Sequence, residues 1–135
     1  MEIKENNSPY LKPKKDFTFN EYQSFAKKTM NPDLNTFEKH LINCALGLTG
    51  ESGEVAEVVK HYLTRTHEMC EKDGEQKVRE KLKKELGDIL WYAASMCDLM
   101  DWDFGDVAMM NCHKLWMRHG DKFSGHGKRD GEGKK

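Results

Sequence analysis

The sequence predicts an all-α protein, a four- to five-helix bundle that forms an oligomer through apolar helix faces. Three observations support this fold class. Apolar residues recur at alternating steps of three and four along several segments, capping and breaking signals separate these segments, and no stretch shows the alternation of a strand. A length of 135 residues suits one domain with one core.

The composition excludes several classes of function. With 22 Lys and Arg against 23 Asp and Glu, the chain has no global positive field, and we expect neither a nucleic acid nor a membrane partner. No apolar run approaches a membrane span and the first residues are too polar for a signal peptide, so we expect a cytoplasmic protein. The cysteines form no C-x-x-C pair and lie in apolar helical stretches, which predicts reduced, mostly buried thiols: Cys44, Cys70, Cys97 and Cys112.

The first two predicted helices each begin at a capping signal. Residues 1–17 form a polar, irregular lead, and the domain covers residues 18–124. Thr18 and Glu21 have the spacing of a capping box for a helix that ends before Asn31. The same signal, from Asn35, precedes a long second helix that reaches about residue 65.

Two further helices follow a polar connection. The third covers about residues 75–101, and the fourth begins after Asp103, which we expect to cap it, and ends near residue 119. Residues 125–135 are rich in glycine and charge and predict a flexible tail.

The second helix carries a carboxylate in its apolar seam. The seam consists of Phe37, Leu41, Cys44, Leu48, Glu51, Val55, Val58 and Tyr62. Glu54 neighbours Glu51 on the helix surface, so the two acids form a pair at the edge of the core, while Glu57 falls further toward solvent.

The third helix repeats this arrangement. Its own seam consists of Leu82, Leu86, Ile89, Ala93, Met96 and Met100. Beside this seam, Glu85 and Asp88 have the same i, i+3 spacing. The segment after Asp88 is apolar on nearly every side, with Trp91 pointing away from the seam, which predicts subunit packing in addition to an internal core. The fourth helix places Asn111, Lys114 and Arg118 partway along its seam.

Four carboxylates at the edge of a core predict a site for a divalent cation. An unpaired buried carboxylate is costly, and Mg²⁺ prefers hard oxygen ligands and bridges carboxylates to phosphates. Simpler interpretations remain open. Either acidic pair can be a solvated helix face, Asn111 can fix the helix register, and Lys114 and Arg118 can be cations that interact with the helix dipole.

The combination of three motifs resembles a known family. "GLTGESGEVAEVVK", "KELGDILWYAA" and "NCHKLWMRHGDKFS" are similar, in this order, to the MazG-like nucleoside triphosphate pyrophosphohydrolases, particularly their short single-domain forms of the all-α type. The resemblance implies Mg²⁺ ligands at Glu51, Glu54, Glu85 and Asp88, and contacts to substrate phosphates from Asn111, Lys114 and Arg118. The 30-residue interval between Glu54 and Glu85 is long for the family and leaves the rim of the pocket undefined.

The resemblance implies hydrolysis of a nucleoside triphosphate between its α and β phosphates, with Mg²⁺ as cofactor and Glu54 as the favoured residue to activate water. It also implies a homodimer or a dimer of dimers. The alternative is a non-catalytic helical interaction module, which predicts no nucleotide turnover and tolerance of Glu51→Gln. A di-iron carboxylate bundle requires Glu-x-x-His pairs, which the sequence lacks.

Overall fold

The computed structural model describes residues 15–64 and 72–120. Within these residues the chain forms four helices and no strand: α1 (Phe19–Lys27), α2 (Phe37–Thr64), α3 (Lys72–Leu99) and α4 (Phe104–His119). The all-α prediction is confirmed. Most of the predicted lead and all of the predicted tail lie outside the described residues. No helix among the described residues is long and apolar enough to cross a membrane.

Two predicted N-caps have different outcomes. The capping box of α1 is confirmed, because Thr18 Oγ1 accepts from the N–H of Glu21 at 3.1 Å and Glu21 Oε2 accepts from the N–H of Thr18 at 2.9 Å. The cap predicted for α2 at Asn35 is wrong by one residue. Thr36 Oγ1 accepts from the N–H of Lys39 at 3.3 Å, whereas Asn35 Oδ1 accepts from the Lys39 ammonium. The Thr36 hydroxyl lies three residues before the N–H that it caps, which is the usual N-cap spacing. The Asn35 side chain instead accepts a hydrogen bond from the Lys39 side chain.

The prediction that Asp103 caps α4 is also wrong. Asp103 occupies the N-cap position but its side chain makes no capping hydrogen bond. The first free N–H groups are satisfied by α1 instead: Gln23 Oε1 accepts from Phe104 at 2.8 Å, and Asn20 Oδ1 accepts from Gly105 at 2.7 Å. Since tertiary packing brings these amides to the helix end, the Asp103 carboxylate is not needed there.

The helix α3 is the central element of the fold. It packs against α1, α2 and α4, and α1 also packs against α4. Among the described residues, the backbone of α2 approaches neither α1 nor α4. The α2–α3 pair therefore forms one contact region, and α1 and α4 form another with α3.

The core between α1, α3 and α4 is small. It consists of Ala26, Ala94, Cys97 and Phe104, with Tyr22, Trp91, Ala93 and Val107 packed against it. Trp91 also donates from Nε1 to Thr29 Oγ1 at 2.7 Å. Trp91 thus contributes to the internal core, one of the two kinds of packing that the sequence predicts for this segment, and the subunit packing stays a prediction.

The predicted α2 seam faces α3, with one exception. Cys44 is fully buried, the seam residues from Leu48 to Tyr62 are partly buried, and Phe37 is 50% exposed. Phe37 departs from the prediction because it is the first residue of α2, at the end of the α2–α3 contact region. Leu86 of the predicted α3 seam is also exposed.

Large apolar side chains remain exposed on all four helices, and most of them lie on α2 and α4. They include Ile42, Leu46 and Leu63 on α2 and Met109, Met110, Leu115, Trp116 and Met117 on α4. Cys44 and Cys97 are buried free thiols as predicted, but Cys112 is exposed on α4 and departs from that prediction. Cys70 lies outside the described residues.

Candidate active site

Three carboxylates converge between α2 and α3. Glu51 on α2 and Glu85 and Asp88 on α3 each offer an oxygen atom, and these atoms all lie within 4.8 Å of one another. The seam of α2 directs Glu51 toward α3, and the i, i+3 spacing places Glu85 and Asp88 on the same face of α3. Packing of two helices therefore creates a cluster that neither helix carries alone. We call these three residues the carboxylate cluster.

The electrostatics of the carboxylate cluster are unfavourable without a cation. Burial raises the pKa of the Glu51 carboxyl, and the negative charges of Asp88, Glu85 and Glu54 raise it further. A raised carboxyl pKa means that the folded protein resists placing a full negative charge there. The cluster presents only hard carboxylate oxygens, which are the donors that Mg²⁺ and Mn²⁺ prefer. Its composition and spacing therefore fit a small divalent cation.

Glu54 lies at the edge of this arrangement. Its side chain is exposed, and its oxygens are not among those that converge within 4.8 Å. Its charge nevertheless contributes to the raised pKa of Glu51. The structure thus brings together three of the four acids predicted as metal ligands and places the fourth beside them, toward solvent.

A groove of about 600 Å³ adjoins Glu51. Its lining comprises Leu34, Lys39, Ile42, Asn43, Leu46, Gly47, Gly50, Glu51 and Tyr92. Of these, the sequence analysis identified only Glu51 as a site residue. A signal was present, because Lys39, Asn43, Gly47 and Glu51 recur at steps of four and such residues form one ridge of a helix.

Gly47 allows an aromatic ring to lie directly on the α2 backbone. A Cβ atom at residue 47 would overlap the ring of Tyr92, so no larger residue fits without displacing that ring. Tyr92 follows Asp88 by one helical turn, and its ring meets that of Trp91 edge to face at a centroid distance of 5.0 Å. The glycine therefore defines the floor of the groove beside the carboxylate cluster.

The three predicted phosphate contacts lie on α4. Asn111 and Lys114 are exposed and Arg118 is partly buried. Spacings of three and seven residues place them on one face of the helix. The helix α4 packs against α1 and α3, and its backbone does not approach α2 among the described residues, so this face is not packed against the helix that carries Glu51.

A larger cavity, of about 920 Å³, lies between α1 and the first half of α4. Trp102, Asp103, Asp106 and Met110 contribute to its lining, together with the Lys27–Asp98 ion pair of 2.8 Å. None of the predicted site residues lines it. Volume alone therefore does not identify the active site.

Comparison with known proteins gives one family and one relative. The family model described as the MazG nucleotide pyrophosphohydrolase domain matches residues 40–123. The chain is also similar to the "Gene 37 protein" of Mycobacterium phage L5, at 39% identity over 75 residues, which is 54% of this chain and 60% of that protein. No solved structure matches the chain significantly. The matched family segment includes the carboxylate cluster, Glu54 and the three polar residues of α4.

Proposed function

Because the chain belongs to the MazG nucleotide pyrophosphohydrolase family, we propose that it hydrolyses a ribo- or deoxyribonucleoside triphosphate between the α and β phosphates. The products are a nucleoside monophosphate and pyrophosphate, and the reaction requires Mg²⁺. The observation that carries this proposal is the convergence of Glu51, Glu85 and Asp88 to within 4.8 Å. A triphosphate is a polyanion, and only a cation allows it to approach such a cluster.

The carboxylates have two different roles in this proposal. Glu51, Glu85 and Asp88 hold Mg²⁺, and Glu54 completes the acidic ligand set from its edge. When bound, magnesium neutralises phosphate charge and lowers the pKa of a coordinated water. Since Glu54 is the most exposed of the α2 pair and lies outside the converging group, its carboxylate is the one available to accept a proton from the attacking water.

The groove beside Glu51 is the proposed location of the nucleoside. Its lining includes the polar residues Lys39, Asn43, Glu51 and Tyr92, and the Tyr92 ring lies against Gly47. An amide can donate and accept hydrogen bonds at a base or sugar edge, and an aromatic ring can pack against a planar base. These features support a nucleotide in this groove with its phosphates directed toward the carboxylate cluster.

The phosphate contacts of α4 require more than one chain in the proposed active unit. Asn111, Lys114 and Arg118 would hydrogen-bond and compensate the phosphates, but α4 does not approach α2 within one chain. The same helix exposes Trp116 to 58% and Met117 to 72%, which is unusual for a surface without a partner. We therefore propose a homodimer or a dimer of dimers in which α4 approaches the carboxylate cluster of a second copy.

A product assay tests the reaction. The protein is incubated with Mg²⁺ and a panel of ribo- and deoxyribonucleoside triphosphates, and the products are resolved by ³¹P NMR and anion-exchange chromatography. We expect monophosphate and pyrophosphate in equal amounts from at least one nucleotide, and no turnover with a chelator. Inorganic phosphate with a nucleoside diphosphate would contradict cleavage of the α–β bond.

Matched variants assign the activity to the cluster. Glu51→Gln keeps the size of the side chain and removes one negative charge, and Glu57→Gln makes the same change at an exposed position of the same helix. Only the first should abolish turnover. Full activity of Glu51→Gln would exclude the carboxylate cluster as the catalytic site, and no turnover of any nucleotide by the wild type would favour the non-catalytic interaction module. A monomer by light scattering at assay concentration would refute the proposed multi-chain unit.

A further inference from the structure

The helix turn that carries two of the cluster carboxylates contains a glycine. Gly87 lies between Glu85 and Asp88, and a Cβ atom at this position would meet no atom within 4 Å. Packing within the chain therefore does not require a glycine here. Glycine in a helix interior lowers local stability and increases backbone freedom. The turn that presents Glu85 and Asp88 therefore has more backbone freedom than the same turn would have with alanine at residue 87.

One side chain from another helix holds this turn. The hydroxyl of Tyr22 on α1 donates a hydrogen bond of 3.3 Å to the carbonyl oxygen of Gly87. In an α-helix that carbonyl also accepts the N–H four residues later, so the tyrosine uses its second lone pair. The Gly87 carbonyl and the Asp88 nitrogen belong to one planar peptide unit. Tyr22 is therefore hydrogen-bonded to the peptide group that joins Gly87 to Asp88.

The environment of Tyr22 supports a fixed position for this hydroxyl. The ring packs against the core cluster of Ala26, Ala94, Cys97 and Phe104. The pKa of the Tyr22 phenol is raised, first by burial and second by the negative charge of Asp88. The phenol stays protonated and acts as a hydrogen-bond donor beside the carboxylate cluster.

We propose that Tyr22 is a positioning residue for cation binding, which holds the Gly87–Asp88 peptide unit so that Asp88 and Glu85 face Glu51. The inference rests on the proposed function, because it assumes that the carboxylate cluster binds a divalent cation. Tyr22 itself contacts neither the cation nor the substrate. Ligands held in place by a neighbouring hydrogen bond lose less conformational freedom on binding, and removing such a bond weakens metal affinity.

The test is direct cation binding by the full chain without nucleotide. Free Mn²⁺ is measured by its electron paramagnetic resonance signal, and Mg²⁺ is measured by competition. Tyr22→Phe removes only the hydroxyl and keeps the ring in the core. From the usual contribution of one hydrogen bond, we expect the Kd for Mn²⁺ to rise about threefold to tenfold.

Thr29→Val is the matched control. It removes the hydroxyl that accepts from Trp91 at 2.7 Å, a side-chain hydrogen bond that joins the segment just after α1 to the middle of α3. If Tyr22 acts through the peptide unit of Asp88, Thr29→Val should change the Kd by less than about twofold. The shift in Tm produced by saturating Mn²⁺ should fall in Tyr22→Phe and not in Thr29→Val. Equal loss of affinity in both variants would reduce Tyr22 to a general contact between two helices.

A second variant tests whether the backbone freedom of Gly87 affects cation binding. Gly87→Ala fits sterically and reduces backbone freedom, so the double variant Tyr22→Phe/Gly87→Ala should recover part of the lost affinity. An unchanged Kd in Tyr22→Phe would overturn the inference while leaving the proposed function intact. A wild-type protein that binds no Mn²⁺ would overturn both.

Discussion

Gln23 caps Phe104 across 81 positions of sequence. The Oε1 atom of Gln23 accepts a hydrogen bond of 2.8 Å from the N–H of Phe104, while its Nε2 donates to the carbonyl oxygen of Trp102 at the same distance. One side chain of α1 therefore satisfies backbone groups on both sides of the N-terminus of α4. The N-terminus of α4 therefore depends on α1 for its cap.

Gln23→Ala should consequently lower the free energy of unfolding by about 1–2 kcal/mol, the usual effect of losing a helix cap. The measurement is chemical denaturation followed by circular dichroism. Ser24→Ala is the control, because Ser24 Oγ donates only to the carbonyl oxygen of Asn20 within α1. The cap interpretation fails if both variants lose the same stability.

Glu51→Gln should separate stability from cation binding. In the cation-free protein at neutral pH the substitution removes a repelled carboxylate, so we expect an equal or higher Tm than in the wild type. Mg²⁺ should raise the Tm of the wild type and have much less effect on the variant. Glu57→Gln, at an exposed position of the same helix, should respond to Mg²⁺ as the wild type does. A variant that retains the full Mg²⁺ response would exclude Glu51 as a ligand.

The raised pKa of Glu51 predicts a pH dependence with a definite sign. Between the usual glutamate pKa, about 4.3, and the raised value, the folded protein binds more protons at this group than the unfolded chain. This contribution to stability is complete below the usual pKa and is lost as the pH rises through the raised pKa. The difference in free energy of unfolding, wild type minus Glu51→Gln, should therefore decrease from pH 4 to pH 7 without cation. A difference that increases with pH would contradict the direction of the shift.

Protonation of the same carboxyl also competes with cation binding. The affinity of the wild-type protein for Mn²⁺ should fall as the pH is lowered toward the usual glutamate range, because Glu51 retains its proton at a higher pH than an ordinary glutamate does. Calorimetric titrations at several pH values measure this, together with the protons released into buffers of different ionisation enthalpy. Binding that releases no protons near the raised pKa would exclude Glu51 from the site.

Glu54→Gln should affect catalysis more than binding. Its carboxylate lies outside the converging group, so we expect the Kd for Mn²⁺ to change by less than about threefold, as for a group at the edge of a site. If Glu54 accepts the proton from water, kcat should fall about 100-fold or more. The two measurements are cation titration and steady-state kinetics at saturating Mg²⁺. A large loss of cation affinity would instead make Glu54 a principal ligand.

Two glycines on α2 provide a controlled test of the groove. Gly47→Ala places a Cβ against the Tyr92 ring and should destabilise the protein by about 1–3 kcal/mol, as overpacking usually does. Gly50→Ala meets nothing within 4 Å and should stabilise it by about 0.5–1 kcal/mol through helix propensity. Denaturation curves of the two variants, whose substitutions lie three residues apart, measure the change in the free energy of unfolding for each. Equal effects would mean that the ring does not need the space at Gly47.

The fold class and the seams were predictable because they depend on periodicity. The spacing of Cys44, Leu48, Glu51 and Val55 places them on one helix face whatever the rest of the chain does. The proximity of Glu51 to Asp88 was predicted in part from a family resemblance and in part from two acidic pairs at the edges of seams. Local patterns were sufficient for each acidic pair, because the two residues of a pair lie within one helical turn.

Features created by packing between distant segments were not predictable in this way. No local pattern shows that Gln23 supplies the cap of α4, so Asp103, the residue with the usual capping chemistry, was assigned instead. The groove formed by Asn43 and Tyr92 likewise exists only after α2 and α3 have packed together. The sequence predicts both an internal core and subunit packing around Trp91, but it does not show that the residues of α1 are the ones that pack beside it within the chain.

The central position of α3 makes it the mechanical link between the carboxylate cluster and α4, which in the proposed assembly serve two different active sites. Within the described residues it is the only helix that touches both α2 and α4. A rotation of α3 by about 10° would move atoms at the helix surface, about 5 Å from its axis, by about 1 Å. Misplacement of this size can reduce a rate by about 100-fold. Substitutions far from the carboxylates that alter how α3 sits on α1 should therefore slow turnover while leaving every ligand side chain present.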